Sequence, residues 1–371
     1  MKHYFLGMAA GYSSSDVWRH TFAIGHEEDQ AKLTNYLAKR YEGEAILCKN
    51  GRSALTLALK AYFQPGDAVL VNGFTCYAVY EAVKAAELVP VFVDIEKDGL
   101  NFEEKALTNA WSANSRVRGI IVQNSLGNPV DIRMIESYAK KYSLTIIEDL
   151  AHCVGVKYAD GREVGTVGAA CALSFGKDKS IDTISGGAVV LRNSSKNEIV
   201  SPFLRPRISD HLRARFYPMF GIICRGLSYV GLGGVLMRLL VKIHWVEKSA
   251  DNKLDTTRKI SKFEAKLALG QLKGNRSSVP LREYYFVRDR ENVLKELRRE
   301  GYYFDGFWYE KPVSPRRYYK KVHFPESECP NAMYVSEHII NLPTYYSKHE
   351  LVNARNIIEQ YIEEEHDTPK Q

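Results

Sequence analysis

The chain has 371 residues, of which 45% are hydrophobic and 26% are charged, and its formal net charge is +7. This length allows two domains, and the composition is that of an ordinary globular protein rather than a disordered or fibrous one. Residues 1–16 are too polar for a signal peptide, and no uncharged apolar stretch of about 20 residues occurs, so we expect no membrane-spanning helix.

Seven short apolar runs, rich in valine and isoleucine, alternate with helical patterns in the first half of the chain. The runs predict strands at residues 44–48, 68–72, 89–95, 118–124, 144–149, 170–175 and 187–192. The patterns between them predict helices at residues 53–63, 77–87, 101–111 and 131–142. This alternation indicates an α/β fold with a mostly parallel sheet and helices packed on its faces.

The pattern changes after residue 200. A basic and apolar segment at about 205–250 is followed by a helical stretch at 258–275. Further helices are predicted at 282–301 and 347–365, and the polar end at 365–371 is expected to be frayed. We therefore predict a large domain over residues 1–257, which contains the basic insertion, and a smaller C-terminal α+β domain over residues 258–371.

The basic segment carries most of the net charge, because Ser201–Ala250 contains eight basic and two acidic residues, a surplus of six. The basic residues are Arg205, Arg207, Arg213, Arg215, Arg225, Arg238, Lys242 and Lys248, and the acidic ones are Asp210 and Glu247. No nucleic-acid-binding motif accompanies them, so we expect no nucleic-acid partner. Such a segment can lie in an anionic membrane interface or cover a large acidic substrate, but a buried insertion at a dimer interface is the commoner case.

The six cysteines give no sign of a metal site or a disulfide framework. They are Cys48, Cys76, Cys153, Cys171, Cys224 and Cys329, and none has C-x-x-C or zinc-ligand spacing. Several lie in apolar runs, where free cysteine behaves as a small hydrophobic residue. We expect no metal and a reducing cytoplasmic location, with peripheral contact at the inner face of the membrane if the basic segment docks there.

Three polar groups follow predicted strands, where ligands bind in α/β sheets. The first is Asn50-Gly51-Arg52-Ser53, between a strand and a helix. Glycine permits close approach of the backbone to a ligand, and a helix start offers free N–H groups to a phosphate. The alternative is a plain N-cap turn, for which serine is well suited.

The second group, Glu148-Asp149-Leu150-Ala151-His152, ends an apolar run. Its carboxylate could pair with a protonated ring nitrogen, and His152 could touch the same ligand. The alternatives are a turn-capping aspartate and a structural histidine.

The third group contains Ser174, Lys177 and Lys179, followed by the pair Gly186-Gly187 and a strand. A partly buried lysine with a lowered pKa could form a Schiff base, and the alternative is a solvated Lys-Asp-Lys turn. Together the three groups offer what pyridoxal phosphate (PLP) requires, namely a helix start for its phosphate, an acid for its ring nitrogen and a lysine for its aldehyde.

At these residues the chain resembles the sugar aminotransferases of the DegT/StrS type, which are PLP enzymes of the aspartate-aminotransferase fold, fold type I. The likeness covers about residues 30–200 and 258–363. The stretches that carry it are NGRSALTLAL, GDAVLVNGFTCYAVYEAVKAAELVPVFVDI, IIEDLAHCVG, ALSFGKDKSIDTISGGAVV, ISKFEAKLALGQL and IINLPTYYSKHEL. The resemblance implies a three-layer α/β/α large domain and a homodimer that shares its active sites.

The resemblance also implies roles for individual residues. The pattern Ser-Phe-x-x-x-Lys before Gly-Gly makes Lys179, not Lys177, the lysine that holds PLP, and Ser174 a phosphate ligand. Asp149 matches the partner of the pyridine nitrogen. His152 matches the residue beside the phenolic oxygen of the ring, and Gly51, Arg52 and Ser53 fall on the phosphate loop.

Three positions depart from the common family pattern. Thr75 is followed by Cys76 and Tyr77, where the family often has an aromatic residue stacked on the ring, so these two are the candidates for that place. Thr257 lies near the place from which relatives supply an asparagine to the neighbouring subunit's phosphate. Arg52 replaces a usual small residue, and its charge would compensate for the missing asparagine.

The resemblance implies a ping-pong transamination. An amino acid, expected to be glutamate, gives its amino group to PLP, with Lys179 as the general base and acid and Asp149 stabilising the ring. The amine then passes to a keto sugar, usually nucleotide-linked, for surface polysaccharide or amino-sugar synthesis. The alternatives are another fold-type I enzyme, such as a lyase, and a non-catalytic PLP-binding relative with a regulatory or scaffold role.

Overall fold

The computed structural model describes residues 4–5, 11–193, 197–202, 204–246, 253–274, 280–304, 308–344, 346 and 349–362. The helices and strands follow in chain order. They are β1 (Tyr4–Phe5), α1 (Ser14–Phe22), α2 (Glu27–Arg40), β2 (Glu44–Cys48), α3 (Gly51–Tyr62), β3 (Ala68–Asn72), β4 (Thr75–Cys76), α4 (Tyr77–Ala85), β5 (Val89–Val93), α5 (Glu104–Ser112), β6 (Val117–Gln123), α6 (Ile132–Tyr142), β7 (Thr145–Asp149), β8 (Ala170–Ser174), β9 (Gly187–Leu191), α7 (Ile208–Ser228), α8 (Gly233–Lys242), α9 (Lys262–Lys273), β10 (Arg282–Phe286), α10 (Arg290–Arg299), β11 (Tyr302–Tyr303), β12 (Val313–Ser314), α11 (Arg316–Val322), α12 (Pro330–His338), β13 (Ile339–Pro343) and α13 (Val352–Glu359).

A seven-stranded sheet in the order β2-β9-β8-β7-β6-β3-β5 forms the centre of the molecule. Strand β9 runs antiparallel to both neighbours, and the pairs from β8 to β5 are parallel. The prediction of a mostly parallel sheet is therefore confirmed, and all seven predicted strands coincide with observed ones to within two residues at each end. Parallel strands place their carboxyl ends at one edge, and the polar groups that follow β7 and β8 meet there.

Helices cover both faces of this sheet, which gives three layers. On one face, side chains of α2, α6 and α9 share a hydrophobic core with β6 and β8. On the other face, α3, α4 and α12 share a second core with β3 and β9. Every residue of β3 and β9 is buried, which explains why these strands read as continuous apolar runs rather than alternating ones.

The C-terminal region differs from the prediction at residues 282–301, which do not form a single helix. Residues Arg282–Phe286 are strand β10, paired antiparallel with β13, and the helix begins only at Arg290. The sequence REYYF contains three aromatic residues, which favour a strand, and the Asp289 side chain caps the helix by accepting the Asn292 N–H. The predicted helix at 347–365 is observed only in its centre, as α13 (Val352–Glu359), because the described residues 349–351 and 360–362 are not helical. Residues 347–348 and the tail after Ile362 lie outside the described part.

No observation decides the predicted domain boundary at 257/258, which stays a prediction. We propose moving it to the end of α9 at Lys273. Helix α9 contributes Ala265, Ala268 and Leu272 to the same core as Leu33 and Leu37 of α2. A separate hydrophobic cluster, with contributions from β10, α10, β13 and α13, begins beyond α9.

The basic segment forms two helices, α7 and α8, joined by a short turn. Helix α7 packs against α1, and its buried residues include Ala214, Tyr217 and Cys224. Glu247 and Lys248 of this segment lie outside the described residues. Within the described part of the chain, no helix combines the length and apolarity that crossing a bilayer requires.

Candidate active site

A cavity of about 610 Å³ lies at the edge of the sheet where β7 and β8 end, beside the start of α3. The segment from Trp308 to Arg317 borders it on the other side. Seven of the nine predicted site residues line this cavity, namely Gly51, Arg52, Cys76, Asp149, His152, Ser174 and Lys179. The fold thus brings together residues that are up to 128 positions apart in sequence, from Gly51 to Lys179 (179 − 51 = 128).

Lys179 and His152 form a direct pair in this cavity. The Nζ of Lys179 lies 2.8 Å from Nε2 of His152, and the backbone N–H of Leu126 donates to Nδ1 of the same ring at 3.1 Å. Because Nδ1 accepts a hydrogen bond, it carries no proton, and the neutral imidazole must carry its proton on Nε2. That N–H can donate only to a lysine that offers a lone pair, so the pairing favours the neutral amine of Lys179.

The surroundings favour the neutral forms of both partners. Burial lowers the pKa of the Lys179 ammonium, and the positive charge of Arg282 acts in the same direction. Burial, and then the nearby Lys179 and Arg282, lower the pKa of His152 well below its ordinary value. A neutral lysine is a nucleophile and a base, so the site is prepared for chemistry at this amine.

Asp149 is the acid of the cavity. It ends β7, and its carboxylate accepts the backbone N–H of Ala151 at 3.0 Å. Burial raises its pKa, whereas that hydrogen bond and the charge of Lys179 oppose the rise. Since Lys179 itself tends to the neutral form, a cationic group bound against Asp149 would keep the carboxylate ionised.

Gly51 and Ser174 meet where the first turn of α3 passes the end of β8. A Cβ on Gly51 would lie 2.5 Å from Cβ and 2.8 Å from Oγ of Ser174, so only glycine fits without a shift. Asn50 caps the helix by accepting the Ser53 N–H at 2.9 Å. The hydroxyl of Ser174 and the N-terminus of α3 therefore border one corner of the cavity, an arrangement that suits an anion.

Four predicted residues have structural partners of their own. The guanidinium of Arg52 forms an ion pair with Glu81 at 2.6 Å, so part of its charge is already balanced. The hydroxyl of Ser53 accepts the Asp255 N–H at 3.1 Å, and the ring of Tyr77 stacks on Tyr318 at 4.2 Å. Ser53 and Tyr77 do not line the cavity. Cys76 does, and its sulfur caps α4 by accepting the Ala78 N–H.

Sequence reasoning missed the aromatic wall of the cavity. The ring of Trp308 lies 4.9 Å from Nζ of Lys179, 5.3 Å from the ring of His152 and 5.0 Å from the guanidinium carbon of Arg282. Tyr309 also lines the cavity and stacks on Phe74 at 4.2 Å. The run WYEKPVSPRRYYKK at 308–321 is unusually rich in aromatic and basic residues, which could have indicated a binding surface, but it matches no motif.

A polar network holds the loop that carries Lys179. The carboxylate of Asp182 accepts the Tyr12 hydroxyl at 2.7 Å and the backbone N–H groups of Asp178 and Ile184 at 2.9 Å each. Desolvation, and then the negative charge of Asp178, raise the pKa of Asp182 to about 7. These hydrogen bonds anchor the loop at Asp178, before Lys179, and at Asp182 and Ile184, after it.

One curated relative is similar over most of its length. It is the pleiotropic regulatory protein of Geobacillus stearothermophilus, 23% identical over 301 residues, which are 81% of this chain and 79% of the relative. The UDP-4-amino-4,6-dideoxy-N-acetyl-beta-L-altrosamine transaminase of Campylobacter jejuni is 34% identical over 176 residues, 47% of this chain and 45% of the relative. The alignments thus span about half or less of this transaminase and of the other curated transaminases compared.

Solved structures share the fold over nearly the whole chain. Helicobacter pylori PseC, an aminotransferase involved in the biosynthesis of pseudoaminic acid, has a TM-score of 0.65 at 16% identity, with 97% of this chain and 99% of PseC covered. This agreement confirms the fold. A model of the DegT/DnrJ/EryC1/StrS aminotransferase family matches residues 22–225, more than half of the chain. The chain therefore belongs to the DegT/DnrJ/EryC1/StrS aminotransferase family.

Proposed function

We propose that this protein is a PLP-dependent aminotransferase that transfers the amino group of an amino acid to a keto sugar. The proposal rests on the pair of Lys179 and His152, in which a half-buried lysine with a lowered pKa contacts a histidine ring at 2.8 Å. Family membership supports the reaction class, and Streptococcus pneumoniae Spr1654, a protein of the same fold, was solved in PLP and PMP forms.

The residues present fit PLP at three separate points. The Gly51–Ser174 corner would hold the phosphate, because the Ser174 hydroxyl and the start of α3 border it, and a Cβ on Gly51 would displace Ser174 from that position. Asp149, a carboxylate whose pKa is raised by burial, would gain a cationic partner in the protonated pyridine nitrogen. Lys179 would bind the aldehyde.

Asp149, His152 and Trp308 have different roles toward the bound cofactor and Lys179. When bound, PLP supplies an electron-accepting ring for the charge that develops at the α-carbon of the donor. Asp149 would hold a proton on the ring nitrogen and would so keep the ring electron-poor. His152, with its proton on Nε2, orients the amine of Lys179, and Trp308 shields that amine from water.

Lys179 moves the proton during each half-reaction. As a neutral amine it would take a proton from the α-carbon of the donor, and as an ammonium it would deliver that proton to the cofactor carbon that carries the transferred nitrogen. Its lowered pKa brings the two forms closer in free energy, which suits a group that must act as both base and acid. We propose glutamate as the donor, as the resemblance implies.

The rim of the cavity suggests an anionic acceptor. Arg316 and Arg317, at the start of α11, are exposed and line the cavity, and Glu310 is the one acidic residue in the bordering segment 308–317. A guanidinium pair suits the phosphates of a nucleotide-linked sugar. The transaminase from Campylobacter jejuni is named for a UDP-linked sugar, and we propose the same substrate class here. We also propose a homodimer, which light scattering can test.

The proposal is tested with the purified protein, added PLP, L-glutamate and a panel of nucleotide-linked keto sugars. We expect stoichiometric 2-oxoglutarate without acceptor and continuous release with a suitable one. Release of 2-oxoglutarate by the Lys179→Ala variant at the wild-type rate would contradict the proposed role of this lysine.

A second candidate is a regulatory protein that binds PLP without turnover. The name of the Geobacillus stearothermophilus relative, which matches over most of its length, favours this alternative. The two candidates differ in one result, because only an enzyme forms 2-oxoglutarate from glutamate.

A further inference from the structure

The tip of the α7–α8 hairpin is uncharged and exposed. Residues 226–237 contain no charged side chain and are bracketed by Arg225 and Arg238. In the turn between the helices, Tyr229 is 56% exposed and Val230 is 68% exposed. The hairpin therefore presents apolar side chains to its surroundings where a soluble protein usually places polar ones.

Helix α8 continues this apolar surface on its outward face. Leu232, Val235, Leu239 and Ile243 are each more than half exposed. Their spacings of three and four residues place them in one stripe along the helix. The inward face is also apolar, since Leu240 is buried, so the helix is hydrophobic on both sides.

Positive charge borders the stripe. Arg238 and Lys242 of α8 are exposed, and the sequence from 211 to 246 contains neither aspartate nor glutamate. Other basic residues of the hairpin have internal roles, because Arg215 donates to the carbonyls of Thr21 and Ala23. The exposed surface of α8 is thus apolar and positive.

The hairpin is held in a defined shape. A Cβ on Gly233 would lie 2.0 Å from the hydroxyl of Ser228 and 2.1 Å from the carbonyl oxygen of Cys224, so α8 starts in close contact with α7. At the base, Tyr217 packs edge-on against Tyr12 and lies beneath the ammonium of Lys177 at 4.4 Å. This packing fixes the outward direction of the stripe.

We propose that the α7–α8 hairpin docks this protein on the surface of an anionic lipid bilayer. The tip and the stripe would enter the boundary between headgroups and acyl chains, and Arg238 and Lys242 would contact lipid phosphates. A lipid surface supplies both properties that the stripe requires of a partner, apolar contact and negative charge. Helix α8 has ten residues, about half of what spanning requires, so the contact is interfacial.

A second copy of the chain fits the stripe less well. A two-fold contact centred on α8 would bring Arg238 and Lys242 towards their own counterparts, and residues 211–246 offer no acidic side chain to pair with them. The lipid proposal is independent of the enzymatic one, since docking needs neither PLP nor turnover.

Flotation of the full-length protein with vesicles tests the proposal. We expect co-flotation with vesicles that contain phosphatidylglycerol, and much weaker flotation with pure phosphatidylcholine or at high salt. Two variants separate the contributions. Val235→Ser with Leu239→Ser removes apolar contact, and Arg238→Gln with Lys242→Gln removes charge; each should weaken binding about tenfold or more. Val352→Ser, an exposed valine of α13, should float like the wild type.

Light scattering and 2-oxoglutarate release are measured on the same variants. We expect an unchanged oligomeric state and activity, which shows that the variants are folded. Absence of flotation with anionic vesicles by the folded wild type would overturn the proposal. A dimer that dissociates in the Val235→Ser, Leu239→Ser variant would also overturn it and would identify the stripe as an interface between copies.

Discussion

The amine of Lys179 and the imidazole of His152 are joined by a 2.8 Å contact whose proton position is set by a third group, the backbone N–H of Leu126. Since that N–H occupies Nδ1, His152 can only donate through Nε2, and Lys179 must accept. The backbone amide thus favours the neutral amine of Lys179, in the same direction as the burial that lowers the pKa of this lysine.

Replacement of His152 tests this relationship. His152→Leu removes the donor that stabilises the neutral amine of Lys179, so the pKa of Lys179 should rise and PLP attachment at neutral pH should slow about tenfold for each unit of that rise. His152→Gln should restore the rate, because its amide can accept the Leu126 N–H and donate to Nζ. The measurement is the rate of PLP attachment as a function of pH, and equal behaviour of the two variants would contradict the hydrogen-bond account.

The Gly51–Ser174 contact makes Gly51→Ala a sharp probe of the phosphate corner. The added methyl must displace Ser174 or the start of α3, and we expect PLP affinity to fall about tenfold or more. Gly270→Ala is the matched control, because Gly270 lies within α9 with open space around it. That substitution should leave PLP affinity unchanged and raise the free energy of unfolding by about 0.5–1 kcal/mol. Unchanged PLP affinity in Gly51→Ala would place the phosphate elsewhere.

Arg316 and Arg317 should affect the binding of the sugar acceptor and not the reaction with the glutamate donor. The double variant Arg316→Gln, Arg317→Gln should raise KM for a nucleotide-linked keto sugar by about tenfold or more, since each charge-assisted hydrogen bond contributes about 1.5–3 kcal/mol. Single-turnover measurement should give an unchanged glutamate half-reaction. Lys320→Gln with Lys321→Gln, which alters charge on the same helix outside the cavity lining, serves as the control. A KM that changes equally in both double variants would argue against a specific anion site.

Asp182 provides a pH-dependent contribution to stability. Its pKa is raised from 3.8 to about 7 in the folded protein, so the folded state holds this proton more tightly than the unfolded one. The stabilisation is complete below the pKa that Asp182 has in the unfolded state, and it is lost as the pH rises towards and through 7. The free energy of unfolding is measured with urea for the wild type and for Asp182→Asn. Between pH 5 and pH 8 the wild type should lose about 1–2 kcal/mol of this free energy relative to the variant. A pH-independent difference would contradict the raised pKa.

The sheet and much of the site could be predicted because their signals are local. Strands such as β3 and β9 are buried on both faces and read as apolar runs, and Asp149 and Ser174 stand at strand ends where ligands gather. The choice of Lys179 over Lys177 needed the family resemblance, because both lysines line the cavity.

Other features arise from contacts between distant segments, which local patterns do not reveal. The ion pair of Arg52 with Glu81 and the approach of Trp308 to Lys179 join residues 29 and 129 positions apart (81 − 52 and 308 − 179). The error at 282–301 has a local cause, since the Asp289 cap separates β10 from α10 and was not recognised.

The absorption spectrum of the PLP-treated protein, before and after addition of L-glutamate, tests the central claim most directly. It is recorded for the wild type, Lys179→Ala and Lys177→Ala. We predict a visible band of lysine-bound PLP in the wild type and in Lys177→Ala, its loss when glutamate is added to the wild type, and no such band in Lys179→Ala. A wild type that stays colourless with PLP, or a Lys179→Ala variant that keeps the band, would contradict the account.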